Sequence, residues 1–133
     1  MNIKVIEGIG TAYAQKLEKA GIHTTEALLK AAASAKGRKE LAAETGISED
    51  LLLEWVNHAD LFRINGVGGE YADLLEEAGV DTVAELARRV PEKLYQKMAE
   101  VNQAKNLVNR MPGLSQVTEW IEQAKQLPKV VTY

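Results

Sequence analysis

The groups in this chain best placed to do chemistry are backbone amides. Gly8-Ile9-Gly10-Thr11 and Gly66-Val67-Gly68-Gly69 each stand just ahead of a Tyr-Ala pair, at Tyr13 and Tyr71. Glycines at that spacing let the backbone turn sharply with no Cβ over the amides. A string of N–H groups opening a helix is a ready site for a phosphate. Lys4, Lys16 and Lys19 flank the first run and would add the cationic part of such a site. Residues 64–87, which contain the second run, hold no lysine or arginine, and Glu70 follows two residues after Gly68, where it would repel an anion. Gly66, Val67, Gly68 and Gly69 are therefore read as a structural turn.

Side-chain chemistry is poorly represented. There is no cysteine, which excludes disulfides, thiolate nucleophiles and cysteine-ligated metal. The serines are Ser34, Ser48 and Ser115, the histidines are His23 and His58, and no Gly-x-Ser-x-Gly elbow occurs. Ser48 and Ser115 read as helix caps and His23 as a turn residue. Glu54 and His58, four apart, fit a surface pair on one helix face better than a metal site, since catalytic zinc takes three protein ligands. The glycine runs lack the third glycine of a dinucleotide fingerprint, and no phosphate loop is present. The expectation is a protein that is not an enzyme, with no metal, cofactor or small-molecule substrate.

The elements that would hold these residues are helices. Apolar positions recur at three and four, as in Tyr13, Leu17, Ala20 and in Tyr71, Leu75, Ala78, and no stretch alternates with the period of a strand. Leu51, Leu52, Trp55 and Val56 form one apolar stripe, and Val117, Trp120, Ile121 and Ala124 another. Gly21 and Gly79 sit where helices end, Thr82 with Glu85 fits a capping box, and Pro91 and Pro112 fit helix starts or breaks. All ten glycines are expected at turns. The fold class is all-α.

The chain also repeats itself. Residues 6–29 and 64–87 match at eleven of 24 positions with a constant offset of 58. A weaker echo links Gly46-Ile47-Ser48, leading to Trp55, with Gly113-Leu114-Ser115, leading to Trp120. Two homologous halves, 1–62 and 63–133, packed into one compact unit are expected from the 133 residues.

The pattern Ile-x-Gly-Ile/Val-Gly-x-x-Tyr-Ala-x-x-Leu-x-x-Ala-Gly-Ile/Val resembles the helix-hairpin-helix motif. The resemblance implies a tight hairpin whose middle apolar residue, Ile9 or Val67, plugs the core. It also implies amides that grip DNA phosphates without reading bases. Over nearly its whole length, and best across Trp55–Gly68, the chain is similar to an uncharacterised bacterial family of duplicated helix-hairpin-helix proteins, a domain of unknown function. That likeness implies a fold and supplies no activity.

Charge pulls against the motif. The net charge is −3, residues 6–29 carry −1, and residues 64–87 carry −6. Phosphate binding takes most of its affinity from lysine and arginine. Basic clusters at Lys36-Gly37-Arg38-Lys39 and at Arg88-Arg89 with Lys93 and Lys97 read as solvated faces, and the two tryptophans as core. Two functions are expected to compete. One is sequence-independent binding of double-stranded or branched DNA through Gly8, Ile9, Gly10 and Thr11 with Lys4, Lys16 and Lys19. The other is a protein-interaction or scaffolding module in which the hairpins are purely architectural. No membrane span or signal peptide is legible, so a cytoplasmic protein is expected.

Overall fold

A computed structural model describes residues 1–133. It contains eight α-helices and no strand. The chain divides into two compact units, residues 1–60 with 130–133, and residues 61–129.

The first unit opens with a single 3₁₀ turn, Ile3–Val5, followed by α1 (Thr11–Lys19), α2 (Thr25–Ala32), α3 (Ala35–Thr45) and α4 (Glu49–Leu61). Helix starts are set by side chains that take up otherwise idle amides. Thr24 Oγ1 accepts from Ala27 N–H at 3.0 Å, Ser34 Oγ from Gly37 N–H at 3.0 Å, and Ser48 Oγ from Leu51 N–H at 3.2 Å. The N-terminal segment is tied to the turn before α2: Ile3 N–H donates to the His23 carbonyl, and Thr25 N–H to the Met1 carbonyl. Ile3, Ile6, Ile9, Leu17, Leu28, Leu52 and Trp55 form the buried interior of this unit. From Trp55 to Leu61 every residue of α4 is buried, including Asn57, His58 and Asp60.

The second unit contains α5 (Gly69–Glu77), α6 (Val83–Leu86), α7 (Pro91–Lys105) and α8 (Leu114–Gln126). Its core gathers Leu61, Ile64, Val67, Leu74, Leu75, Leu86, Met98, Trp120 and Ile121. Thr82 caps α6 by accepting from Glu85 N–H at 3.2 Å, and the Glu85 carboxylate reaches back to Asp81 N–H rather than to Thr82 itself. Pro91 begins α7, where its missing N–H costs nothing. Asn106 ends α7 in a left-handed conformation, φ 50°. Asn102 braces the chain beyond it, accepting from Val108 N–H and donating to the Val108 carbonyl.

Two local expectations are corrected. Ser115 is not a cap: α8 starts at Leu114 with Gly113 as its N-cap, so Ser115 falls inside the first turn. Gly37 is not in a turn but inside α3, and its lack of a side chain is required there because a Cβ would lie 2.2 Å from the Ala31 carbonyl oxygen. No helix is long and apolar enough to cross a membrane.

Candidate nucleic-acid interface

In the first unit Gly8 turns the chain with φ +94°, and a Cβ there would meet Trp55 Nε1 at 3.4 Å. Trp55 is buried and stacks edge-on against Tyr13, ring centroids 5.1 Å apart. The turn therefore rests on an indole held by the helix it leads into. Ile9 is turned inward, 4% exposed, while Gly8, Gly10 and Thr11 face solvent. Gly10 caps α1 without any side-chain acceptor. Ile9 N–H closes on the Ile6 carbonyl and Ala14 N–H on Gly10, so the amides of Gly10, Thr11 and Ala12 meet no acceptor in the protein. These idle donors sit at the positive end of the helix dipole.

The lysines expected to assist do not all gather at that point. Lys4 is exposed in the 3₁₀ turn. Lys16 and Lys19 lie in the last turns of α1 and share the wall of a 250 Å³ cavity with Ala20, Glu44 and Thr45. At about 1.5 Å rise per residue, Lys19 starts roughly 13 Å along the axis from Gly10. Helical side chains lean back toward the N-terminus, and Lys16 does so, its Nζ standing 5.8 Å from the Tyr13 ring centre. Lys16 is the cation nearest the amides along the helix; Lys19 belongs to the far end.

In the second unit Gly66 has φ +96°, and a Cβ there would lie 3.0 Å from Trp120 Nε1. Val67 is 4% exposed. Tyr71 and Trp120 stack at 5.3 Å, and the Tyr71 hydroxyl donates to the Arg110 carbonyl. Gly68 caps α5 with no side-chain acceptor, and Gly69 is its first residue. Glu70, in the first turn and exposed, adds a negative charge to this helix start, which α1 does not have. Asn65 exchanges two hydrogen bonds with Gln123, at 2.9 and 3.2 Å, fixing this turn on α8.

Other singled-out residues take structural posts. Arg38, from the basic cluster 36–39, is 5% exposed rather than solvated. Its guanidinium donates to the carbonyls of Ala32 and Ala33, at 3.0 and 2.9 Å, and to that of Thr132 at 2.6 Å. Thr132 N–H donates back to Ala33. Arg38 thus closes the C-terminal end of α2 and binds the chain's last residues, a role no short-range pattern signals. Arg89 is likewise engaged, donating to the Gly79 carbonyl at 2.7 Å. His58 is buried at 3% exposure while Glu54 is exposed, so the two do not form a surface pair.

No group of three or more histidine, aspartate or glutamate side chains converges as a metal site. The Glu26 carboxylate bonds the Met1 ammonium and the Thr25 hydroxyl. Those two partners, the ammonium foremost, lower its pKa to about 2. A second cavity in the first unit, 490 Å³, runs between α2 and α3 and includes Gly21, Ala31, Glu40 and Glu44 in its lining. No solved structure matches the chain. A family described as a domain of unknown function matches residues 7–127, and the chain belongs to that family, DUF4332.

Proposed function

We propose that this chain is a cytoplasmic, non-enzymatic protein made of two duplicated helix-hairpin-helix units, and that the first unit holds double-stranded or branched DNA by its phosphates. The duplication is supported by residues 58 apart with like geometry, Gly8 and Gly66 at φ +94° and +96° and Ile9 and Val67 each 4% exposed, and by a Tyr–Trp pair under each turn, Tyr13–Trp55 and Tyr71–Trp120. The observation carrying the DNA reading is the exposed, side-chain-free start of α1, whose amides meet no acceptor in the protein. One phosphate would sit on the amides of Gly10, Thr11 and Ala12, with Lys16 toward the next phosphate and Lys4 beside the turn. None of these groups reads a base edge, so binding would be indifferent to sequence. The second unit, with Glu70 at the corresponding place, would act as architecture.

Fluorescence anisotropy with a labelled duplex and a four-way junction, at about 50 and 200 mM salt, tests this. Affinity should fall steeply with salt. Lys4→Gln/Lys16→Gln should flatten the log–log salt dependence by about 1.8, two phosphate contacts, whereas Lys19→Gln should change it little. Glu70→Lys should leave binding at the first unit intact. Absence of binding at the lower salt would retire DNA and turn the search to protein partners, which the acidic second unit favours.

A further inference from the structure

The fold leaves two indole N–H groups unused. Trp55 and Trp120 are each 1% exposed, yet neither Nε1 donates to any group of the chain, and neither nitrogen is sealed from solvent. A buried tryptophan usually finds an acceptor for that N–H. In the first unit the way to it lies through the glycine turn. A Cβ on Gly8 would stand 3.4 Å from Trp55 Nε1, and nothing else outside the turn comes within 4 Å of that position. Gly8 itself is exposed. Its missing side chain is therefore a window onto the N–H as well as a means of reaching φ +94°. Gly10, the uncapped start of α1, follows two residues later, no more than about 7 Å away. The indole N–H and the idle amides of Gly10, Thr11 and Ala12 thus open onto one short stretch of chain. All are donors, and no acceptor of the protein reaches them. An edge contact with Tyr13, ring centroids 5.1 Å apart, keeps the indole in place.

We infer that Trp55 Nε1 belongs to the phosphate site of the first unit. One phosphate oxygen enters over Gly8 and accepts from the indole, while another accepts from the amides that open α1. This deepens the DNA reading above and rests on it for the ligand; the same donors suit a free phosphate. Exposed Lys4 adds positive charge near the turn, and exposed Glu7, next to Gly8, opposes an anion there. The second unit repeats the window, a Cβ on Gly66 lying 3.0 Å from Trp120 Nε1, but Glu70 adds a negative charge to that helix start. Trp120 is thereby a built-in control.

The test is a ¹H–¹⁵N NMR titration of the labelled full chain, in which the two indole N–H groups give separate signals. The probes are inorganic phosphate, a short DNA duplex, and chloride at matched ionic strength. Phosphate and the duplex should each move the Trp55 indole proton downfield and saturably, together with the amides of Gly10, Thr11 and Ala12, and leave Trp120 in place. Gly8→Ala closes the window, and Trp55→Phe removes the donor but keeps an aromatic ring. Each should weaken phosphate binding about tenfold, the effect of one charge-assisted hydrogen bond. Glu7→Gln should tighten it. If either core variant fails to fold, the wild-type indole shift decides alone. A duplex that binds without moving the Trp55 indole overturns this inference and leaves the DNA reading standing. Phosphate that moves it while the duplex does not bind overturns DNA as the ligand and leaves the site standing. Equal shifts at Trp55 and Trp120, or shifts that chloride reproduces, overturn the site, and if neither probe binds both fail.

Discussion

Gly66→Ala should be among the most damaging single-methyl additions in this protein, for two separable reasons. The residue holds φ +96°, a conformation costing an L-amino acid about 1–2 kcal/mol. The new Cβ would also lie 3.0 Å from Trp120 Nε1, where the indole cannot retreat. Trp120 is 1% exposed and stacks on Tyr71 at 5.3 Å. Overpacking of that kind costs about 1–3 kcal/mol, so the sum is about 2–5 kcal/mol. Gly8→Ala shares the backbone strain at φ +94°, but its Cβ would stand 3.4 Å from Trp55 Nε1, an ordinary contact, so about 1–2 kcal/mol is expected. Gly10→Ala has φ −85° and no atom within 4 Å, and loses only the mild preference for glycine at an N-cap, below about 1 kcal/mol. With an unfolding entropy of about 2.1 cal/mol/K per residue over this length, each kcal/mol moves the midpoint about 4 °C if the chain melts as one. Urea and thermal melts followed by tryptophan fluorescence measure all three, since both tryptophans lie under the turns concerned. The ordering Gly66 > Gly8 > Gly10 is the claim. Gly66→Ala melting with Gly10→Ala would refute it.

Arg38→Met keeps most of the side-chain volume and removes three hydrogen bonds to carbonyls; about 2–4 kcal/mol of stability should be lost, with faster hydrogen exchange at residues 131–133. Unchanged exchange there would separate the arginine from the tail. Glu26 has a folded pKa of about 2, below its unfolded value, so its contribution is present above the unfolded pKa of about 4.5 and lost as pH falls toward 2. The carboxylate is well exposed, so the effect on stability is small, but side-chain NMR should follow the titration directly, and acetylating the Met1 amine should return it toward the ordinary value. Asn57 Oδ1 is buried with no hydrogen-bond partner. Asn57→Leu should be neutral or stabilising by up to about 2 kcal/mol in a urea melt; a clear loss would mean that the oxygen is satisfied in solution.

What the sequence made legible was local. Helical periodicity, the Thr82 and Ser48 caps, Pro91 at a first turn and the burial of Ile9, Val67 and both tryptophans all depend on neighbours within a few residues. A serine one residue past a helix start, as Ser115 is, has the same sequence signature as a cap, and only the backbone conformation of Gly113 decides between them. Gly37 resembled a turn glycine, yet its reason is the Ala31 carbonyl pressed against it across the α2–α3 junction. Arg38 sat in a run of basic residues that looked solvated; its partner Thr132 is 94 positions away, beyond the range of any spacing rule. His58 lies on a stretch of α4 buried on every side, which a pattern with polar residues at 57, 58 and 60 does not suggest. The candidate interface was legible as a glycine turn and a set of lysines. How the lysines distribute along α1 was not, because the choice depends on side-chain lean and on Tyr13.

The last four residues belong to the first unit although the second unit lies between in the chain. Two clasps therefore act in series. Arg38 and Thr132 hold the tail, and Arg63, donating to the Pro128 carbonyl at 2.7 Å, ties the segments by which the chain enters and leaves the second unit. Tension applied between residues 1 and 133 loads the outer clasp first, and the second unit bears none of it until Thr132 peels from Arg38. Only then does the load reach Arg63. Pulled end to end, the protein should lengthen in ordered steps, with the second unit mechanically shielded behind the first.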